Sequence, residues 1–385
     1  MINGIFMQAS QILDHLKERT QEMLDAVREL VEIESPSRDK GALDTIGATI
    51  SRRFSDLGLS QEVLLNSSGG DHLRITCRGM TDNPPALILC HFDTVWPVGT
   101  LATMPFRIVG GRAHGPGAYD MKSSVVLVEF ALRAMKDLGL RPPRTLTLLF
   151  TSDEEIGSPD SRSWIELEAR RSQHVLVMEP PLSGGRLKTA RKGVGRFELE
   201  VSGRAAHAGV EPEKGVNAIV EMARQILEIE AIADPQRGTT LNIGTIRGGT
   251  TTNVVPASAS MAIDARVKSL DEARRVEEAL RALTPVHPQA SLAVTGGFNR
   301  PPMERTPGGI QLFERVRDVG RLLGLELDEG STGGGSDGNF TSAVGIPTID
   351  GLGMPGAGAH SVDEHIMFES LPDRAALLAL LLLHL

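Results

Sequence analysis

Two histidines and a set of carboxylates hold the chemistry of this 385-residue chain. His91-Phe92-Asp93 puts an imidazole two residues before an acid. His91 could bind a metal through one ring nitrogen, and Asp93 could accept the other N–H and fix the tautomer. A histidine beside an aspartate in an ordinary loop is the competing reading. Asp120 precedes a helical stretch, where a lone acid also suits an N-cap. Asp153-Glu154-Glu155 are three consecutive acids, costly together unless solvated or bound to cations. Glu154 and Glu155, being adjacent, can point differently, one as ligand and one as proton carrier. Glu179 and, in a glycine-rich loop, His360 complete the set. Mixed nitrogen and oxygen donors suit zinc or a similar first-row ion, with carboxylates able to bridge two ions. A pair of ions polarises a carbonyl and supplies a hydroxide nucleophile.

These residues follow short apolar runs. Ala86–Cys90, Thr145–Phe150 and Val175–Met178 are apolar without alternation, which predicts strands buried on both faces. Helical periodicity covers 9–34, 42–57 (with Gly58 at the C-cap), about 122–138 and about 161–172. Strand and helix alternate as in an α/β layer fold, whose ligands collect at the carboxyl ends of the strands. The texture changes near residue 190. FELEV at 197–201 alternates, and a helix about 215–231, strands near 240–247 and 258–267, a helix about 271–283 and a strand near 291–295 follow. That β-α-β-β-α-β order is ferredoxin-like. The α/β texture returns after Arg300-Pro301-Pro302, with a helix about 308–323, a strand Pro347–Ile349 and a final helix. We therefore expect a catalytic domain split between 1–189 and 301–385, with an inserted domain at 190–300.

The net charge of −9 and only 14 aromatic residues argue against nucleic acid and anionic membranes as partners. Two cysteines, Cys77 and Cys90, cannot build a disulfide framework or a multi-thiolate zinc site. Ala375–Leu383 is far short of the ~20 residues that span a bilayer. It predicts a packed C-terminal helix, capped upstream by Leu371-Pro372-Asp373. With no export signature at the N-terminus, a cytoplasmic protein of a reducing compartment is expected.

HFDTV (91–95), GPGAYDMK (115–122), TSDEEIGS (151–158), MEP (178–180), GRAAHAG (203–209), TTTNVVPASA (250–259), STGGGSDGNF (331–340) and GAGAHS (356–361) occur in the order seen in the M20 metallopeptidases. The chain most resembles their glutamate carboxypeptidase branch. The resemblance implies a mixed sheet flanked by helices, an inserted ferredoxin-like dimerisation and lid domain, and two zinc ions, with cobalt or manganese as alternatives. It implies His91 and Glu179 on one ion, Glu155 and His360 on the other, and Asp120 bridging them. Asp93 would orient His91. Glu154 would be the general base, taking a proton from the water between the ions and passing it to the leaving amine. His207 would stabilise the oxyanion across a homodimer interface. Asn253 and Arg266 would hold the substrate's terminal carboxylate, against a strand-end ion pair as the other reading of Arg266. Gly333, Gly334 and Gly335 would line the pocket. Arg186 falls near a basic residue of the glutamate-specific members after a one-residue gap, with Arg191 and Lys192 close by. Ser123-Ser124 stand where many members carry two glycines, a change expected to touch helix packing more than chemistry. The implied reaction releases a C-terminal amino acid, glutamate foremost, from an N-acyl or peptidyl substrate. A deacylase of the acetylornithine deacetylase or aminoacylase type is the alternative.

Overall fold

A computed structural model describes residues 2–385. The chain divides into two compact units. One contains the residues up to Ala190 with Arg305–Ser331 and Ser336–Leu385; the other contains Arg191–Glu304 with Thr332–Gly335.

The first unit is built on a six-stranded mixed sheet in the order Ser60–Leu64, His72–Cys77, Leu146–Thr151, Ala86–His91, His174–Val177, Thr348–Ile349. The last four run parallel, and the first two form an antiparallel edge. Every residue of the three central strands is buried. Period-two alternation sends them to opposite faces. Ile88, Cys90, Leu148, Phe150 and Leu176 join the larger core, with the helices Thr20–Val31, Ser123–Asp137 and Leu371–His384. Leu87, Leu89, Leu149, Val175 and Val177 pack with Ile165 and Ala169 of helix Arg162–Arg171 and with Phe340. The continuous apolar runs follow from this two-sided burial. The register pairs His91 with Thr151 and Leu89 with Val177, so the carboxyl ends of three strands lie side by side.

Four details differ from the sequence expectations. The helix expected over 42–57 ends at Ser55 with Asp56 as its C-cap, so Gly58 lies two residues beyond the cap. The helix expected over 9–34 is two helices, Ile2–Lys17 and Thr20–Val31. The Thr20 hydroxyl donates to the Lys17 carbonyl at 2.8 Å, giving the backbone a local alternative to the helical ladder. Leu371-Pro372-Asp373 lie inside the final helix, with the proline in its first turn, rather than capping it from upstream. The antiparallel strands Ser60–Leu64 and His72–Cys77 carry polar residues among the apolar ones and so form no apolar run.

The second unit is a four-stranded sheet in the order Thr240–Gly248, Ser258–Val267, Gly193–Ser202, Ser291–Arg300, with every neighbouring pair antiparallel. With the helices Ala218–Ile232 and Leu270–Arg281, this is the ferredoxin-like β-α-β-β-α-β arrangement. Phe197, Leu199 and Val201 face its own core while Glu198 and Glu200 are exposed. Asn217 and Ser269 cap the two helices through side-chain hydrogen bonds. Among the described residues, no helix is long and apolar enough to cross a membrane.

Leu148, fully buried in a central strand, anchors the sheet that presents the strand ends. Leu148→Ala should destabilise the first unit by about 2–5 kcal/mol. Leu65→Ala, at an exposed site, should cost less than about 0.5 kcal/mol. Urea unfolding followed by tryptophan fluorescence checks this selectively, because Trp96 and Trp164, the chain's two tryptophans, both lie in that unit.

Candidate active site

His91 is the last residue of its strand and only 2 % exposed. Its Nδ1 donates to the main-chain oxygen of Asp93 at 3.1 Å and lies 3.3 Å from the Asp93 carboxylate. That leaves Nε2 facing Asp120 at 3.2 Å and Glu179 at 3.5 Å. Glu179 stands two residues beyond the strand His174–Val177. Asp120 does not cap the following helix; Lys122 occupies the N-cap position and makes no side-chain cap bond. Asp120 lies instead in an irregular turn after Gly117, whose φ of +73° suits glycine.

On the other side of Asp120 stand Glu155 and His360. His360 Nε2 lies 3.1 Å from the Glu155 carboxylate and 3.6 Å from Asp120. His360 is in the left-handed region, φ +60°, within its glycine-rich loop. Two groups of potential ligands result: His91, Asp120 and Glu179, and Asp120, Glu155 and His360. In each group the ligand atoms lie within 4.8 Å of one another, and Asp120 belongs to both.

The acid run at 153–155 is no solvated patch. Asp153 is buried and accepts the backbone N–H groups of Asp160 and Ser161, ahead of helix Arg162–Arg171. Glu154 and Glu155 are half-buried in a short helical turn. The Asp93 carboxylate accepts both of their backbone N–H groups at 3.1 Å and the Ser37 hydroxyl at 2.7 Å. The structure therefore fixes the backbone from which the Glu154 side chain departs.

Packing carboxylates this closely perturbs their protonation. Burial lifts Glu155 to about 7, against the hydrogen bond from His360 and with the help of the Asp120 charge. The same hydrogen bond raises His360 to about 9. Burial opposes the charged form of His91, but hydrogen bonds to Asp120, Asp93 and Glu179 outweigh it and hold its pKa well above the ordinary value. Protons on the imidazoles thus offset the acids, and a cation can take their place, because ligand histidines bind metal as neutral imidazole. The donor set, His/Asp/Glu twice over with one shared carboxylate and an anchored Nδ1, fits a pair of divalent ions.

In the second unit, His207 and Asn253 are brought together. His207 bridges Val254, and Ala208 donates to the Asn253 carbonyl at 3.0 Å. His207 is exposed, and its Nδ1 accepts from the Gly209 N–H at 3.2 Å, so the neutral ring carries its proton on Nε2. Arg266 forks onto Asp264 at 2.7 and 2.9 Å and donates to the Gly333 carbonyl at 3.2 Å. The strand ion pair considered for it is therefore present, with one nitrogen turned to the glycine loop. Arg191, buried, holds the carbonyls of Gly334 and Gly335. Arg186, in the first unit, is exposed and closes on its own turn by donating to the Ser183 carbonyl at 3.3 Å.

One contact and one residue escaped the sequence reading. Ser124 donates to the carbonyl of Met178, the residue before Glu179, at 2.6 Å, so the Ser-Ser change reaches the segment that carries Glu179. Glu364 is fully buried and accepts from the backbone N–H groups of Gly117, Tyr119 and Asp120. Its only sequence signal is an acid four residues after His360, and Asp363 beside it gives the same one.

The family model described as Peptidase family M20/M25/M40 matches residues 87–384. Carboxypeptidase G2 of Pseudomonas sp. (strain RS-16) is 32% identical over 377 residues, covering 94% of this chain and 89% of the relative. A succinyl-diaminopimelate desuccinylase of Dechloromonas aromatica is 30% identical over 359 residues, covering 88% and 92%. The fold resembles the aminopeptidase PepT of Bacillus cereus, with a TM-score of 0.75 at 23% identity over 94% of this chain and 98% of that one. It also resembles the M20 family metallo-carboxypeptidase Sso-CP2 of Sulfolobus solfataricus, with a TM-score of 0.71 at 17% identity over 94% and 99%. The match spans most of the chain and includes every strand end that carries a potential ligand: the chain belongs to the M20 family of metal-dependent hydrolases, metallopeptidases and amidohydrolases.

Proposed function

We propose that the chain is a two-cation carboxypeptidase that hydrolyses the amide bond before a C-terminal amino acid, glutamate foremost, of an N-acyl or peptidyl substrate. The observation that carries this reading is the sharing of Asp120 by two His/carboxylate groups. The similarity to carboxypeptidase G2 over nearly the whole chain supports release of a C-terminal amino acid. His91, Asp120 and Glu179 would hold one ion, and Asp120, Glu155 and His360 the other. Zinc suits these donors best, with cobalt or manganese as alternatives. When bound, such ions polarise the scissile carbonyl and make water acidic enough to attack near neutral pH.

The protein's own groups do the rest. Glu154 accepts the proton of the attacking water and delivers it to the amine nitrogen as the C–N bond breaks, leaving a carboxylate and a free amino acid. His207, through Nε2–H, stabilises the oxyanion. Asn253 and Arg266 hold the terminal carboxylate of the substrate, Arg186 meets its side-chain carboxylate, and Gly333, Gly334 and Gly335 line the pocket through backbone groups. The second unit would pair two copies. Its edge strand Thr240–Gly248 is open on one side, and Ile219, Val220, Leu227 and Ile246 are exposed apolar side chains on that unit. The free thiols Cys77 and Cys90 suit a reducing compartment such as the cytoplasm. The desuccinylase relatives favour one second reading, an N-acyl amino acid deacylase using the same groups.

Glu154→Gln should lower kcat by about 10²- to 10⁴-fold, while inductively coupled plasma mass spectrometry finds the wild-type cation content. Unchanged turnover would remove Glu154 from the proton path. A panel of N-acyl amino acids varied at the C-terminal residue should be hydrolysed best with glutamate. A chelator should abolish that activity and added zinc restore it. Preference for succinyl-diaminopimelate, or for basic or aromatic termini, would sink the glutamate assignment.

A further inference from the structure

The segment 117–122 that carries Asp120 is neither strand nor regular helix. Asp120 and Met121 have non-helical dihedrals, φ −119°, ψ 93° and φ −136°, ψ 38°. Main-chain donors in such a segment need acceptors from elsewhere. Three of them, the N–H groups of Gly117, Tyr119 and Asp120, go to one side chain, Glu364, at 3.0, 3.0 and 3.1 Å. The fourth donor to Glu364 is Trp96 Nε1 at 2.8 Å. Each carboxylate oxygen thus takes two hydrogen bonds: Oε1 from Tyr119 and Asp120, Oε2 from Gly117 and Trp96. The Glu364 carbonyl accepts again from Gly115 at 3.3 Å.

Glu364 also closes the loop that carries His360. Its N–H donates to the Ser361 carbonyl at 2.9 Å, and Ser361 N–H donates to Gly358 at 2.9 Å. Strands Gly356–Ala357 and His365–Met367 pair across that loop, and His365–Met367 continues onto Arg112–His114. One buried carboxylate therefore fastens the His360 loop to the Asp120 turn.

We infer that Glu364 is a positioning residue that sets the place of Asp120 between the two ligand groups, and so the spacing at which two cations are held together. This rests on the two-cation reading above. A neutral amide cannot substitute. Whichever way a glutamine is turned, its NH₂ replaces an oxygen that accepts two N–H donors, so donors face donors. Aspartate keeps the acceptors but withdraws them by one methylene.

The test is to strip the protein of metal and titrate zinc against a chromophoric chelator. Circular dichroism and tryptophan fluorescence report the fold alongside. Wild type should bind two ions. Glu364→Gln should remain folded and bind both about 10- to 100-fold more weakly, the usual loss when a group supporting a metal ligand is removed. Adding Trp96→Phe should recover part of that loss, because the amide NH₂ can then face the Gly117 N–H alone. A folded Glu364→Gln protein with wild-type affinity for both ions would overturn the inference, since a merely structural glutamate would lower the melting temperature and leave zinc affinity unchanged. Should the glutamine variant fail to fold, the same titration of Glu364→Asp decides: weakened binding supports the inference and wild-type affinity overturns it. Wild-type protein that binds no zinc would overturn the two-cation reading itself, and this inference with it.

Discussion

A single buried carboxylate, Asp93, holds the site together. It has no exposed surface, and four groups converge on it: the Ser37 hydroxyl and the backbone N–H groups of Glu154 and Glu155 donate to its carboxylate, and His91 Nδ1 lies 3.3 Å away. A buried charge is tolerated only when its hydrogen bonds are satisfied, so these four groups must come to Asp93. They belong to three separate stretches of chain. Satisfying one acid therefore fixes the ring of His91, the backbone of Glu155 and the origin of the Glu154 side chain.

The sheet makes that convergence possible. Parallel strands packed on both faces end together, and the register places His91 beside Thr151. The turn at 153–155 then begins within reach of Asp93. Asp153, the first acid of that turn, looks inward to the start of the next helix rather than to the ligands. Asp120 comes from the opposite kind of backbone, an irregular turn, and Glu364 provides it with the acceptors that a helix or strand would have supplied internally. Regular structure thus positions His91 and Glu179, while buried acids position the groups carried on turns. The second unit satisfies its own polar groups in the same way, with Arg191 and Arg266 turned onto the carbonyls of the Gly333–Gly335 loop.

Much of this was legible in the residues because burial on both faces writes a strand as an uninterrupted apolar run. The acids and histidines that follow such runs stand out against them. The alternation of Phe197, Leu199 and Val201 with Glu198 and Glu200 likewise showed a strand with one wet face. The antiparallel strands Ser60–Leu64 and His72–Cys77 were not legible, since partial exposure mixes their composition. Nor was the break at Thr20, where one hydroxyl competes with the helical ladder. Ser37 lies 56 residues from Asp93, and Glu364 lies 244 from Asp120, so only the fold brings them into contact. Motifs pointed to the side chains that the fold gathers around Asp120; the acids and hydroxyls that place them carry no local signature.

The proposed hydrolysis requires two cation positions that share Asp120. Anomalous diffraction at the zinc absorption edge, on crystals of the zinc-loaded protein, tests it most directly. Two peaks are predicted, one bounded by His91, Asp120 and Glu179 and one by Asp120, Glu155 and His360. A single peak, or zinc bound away from Asp120, would contradict it.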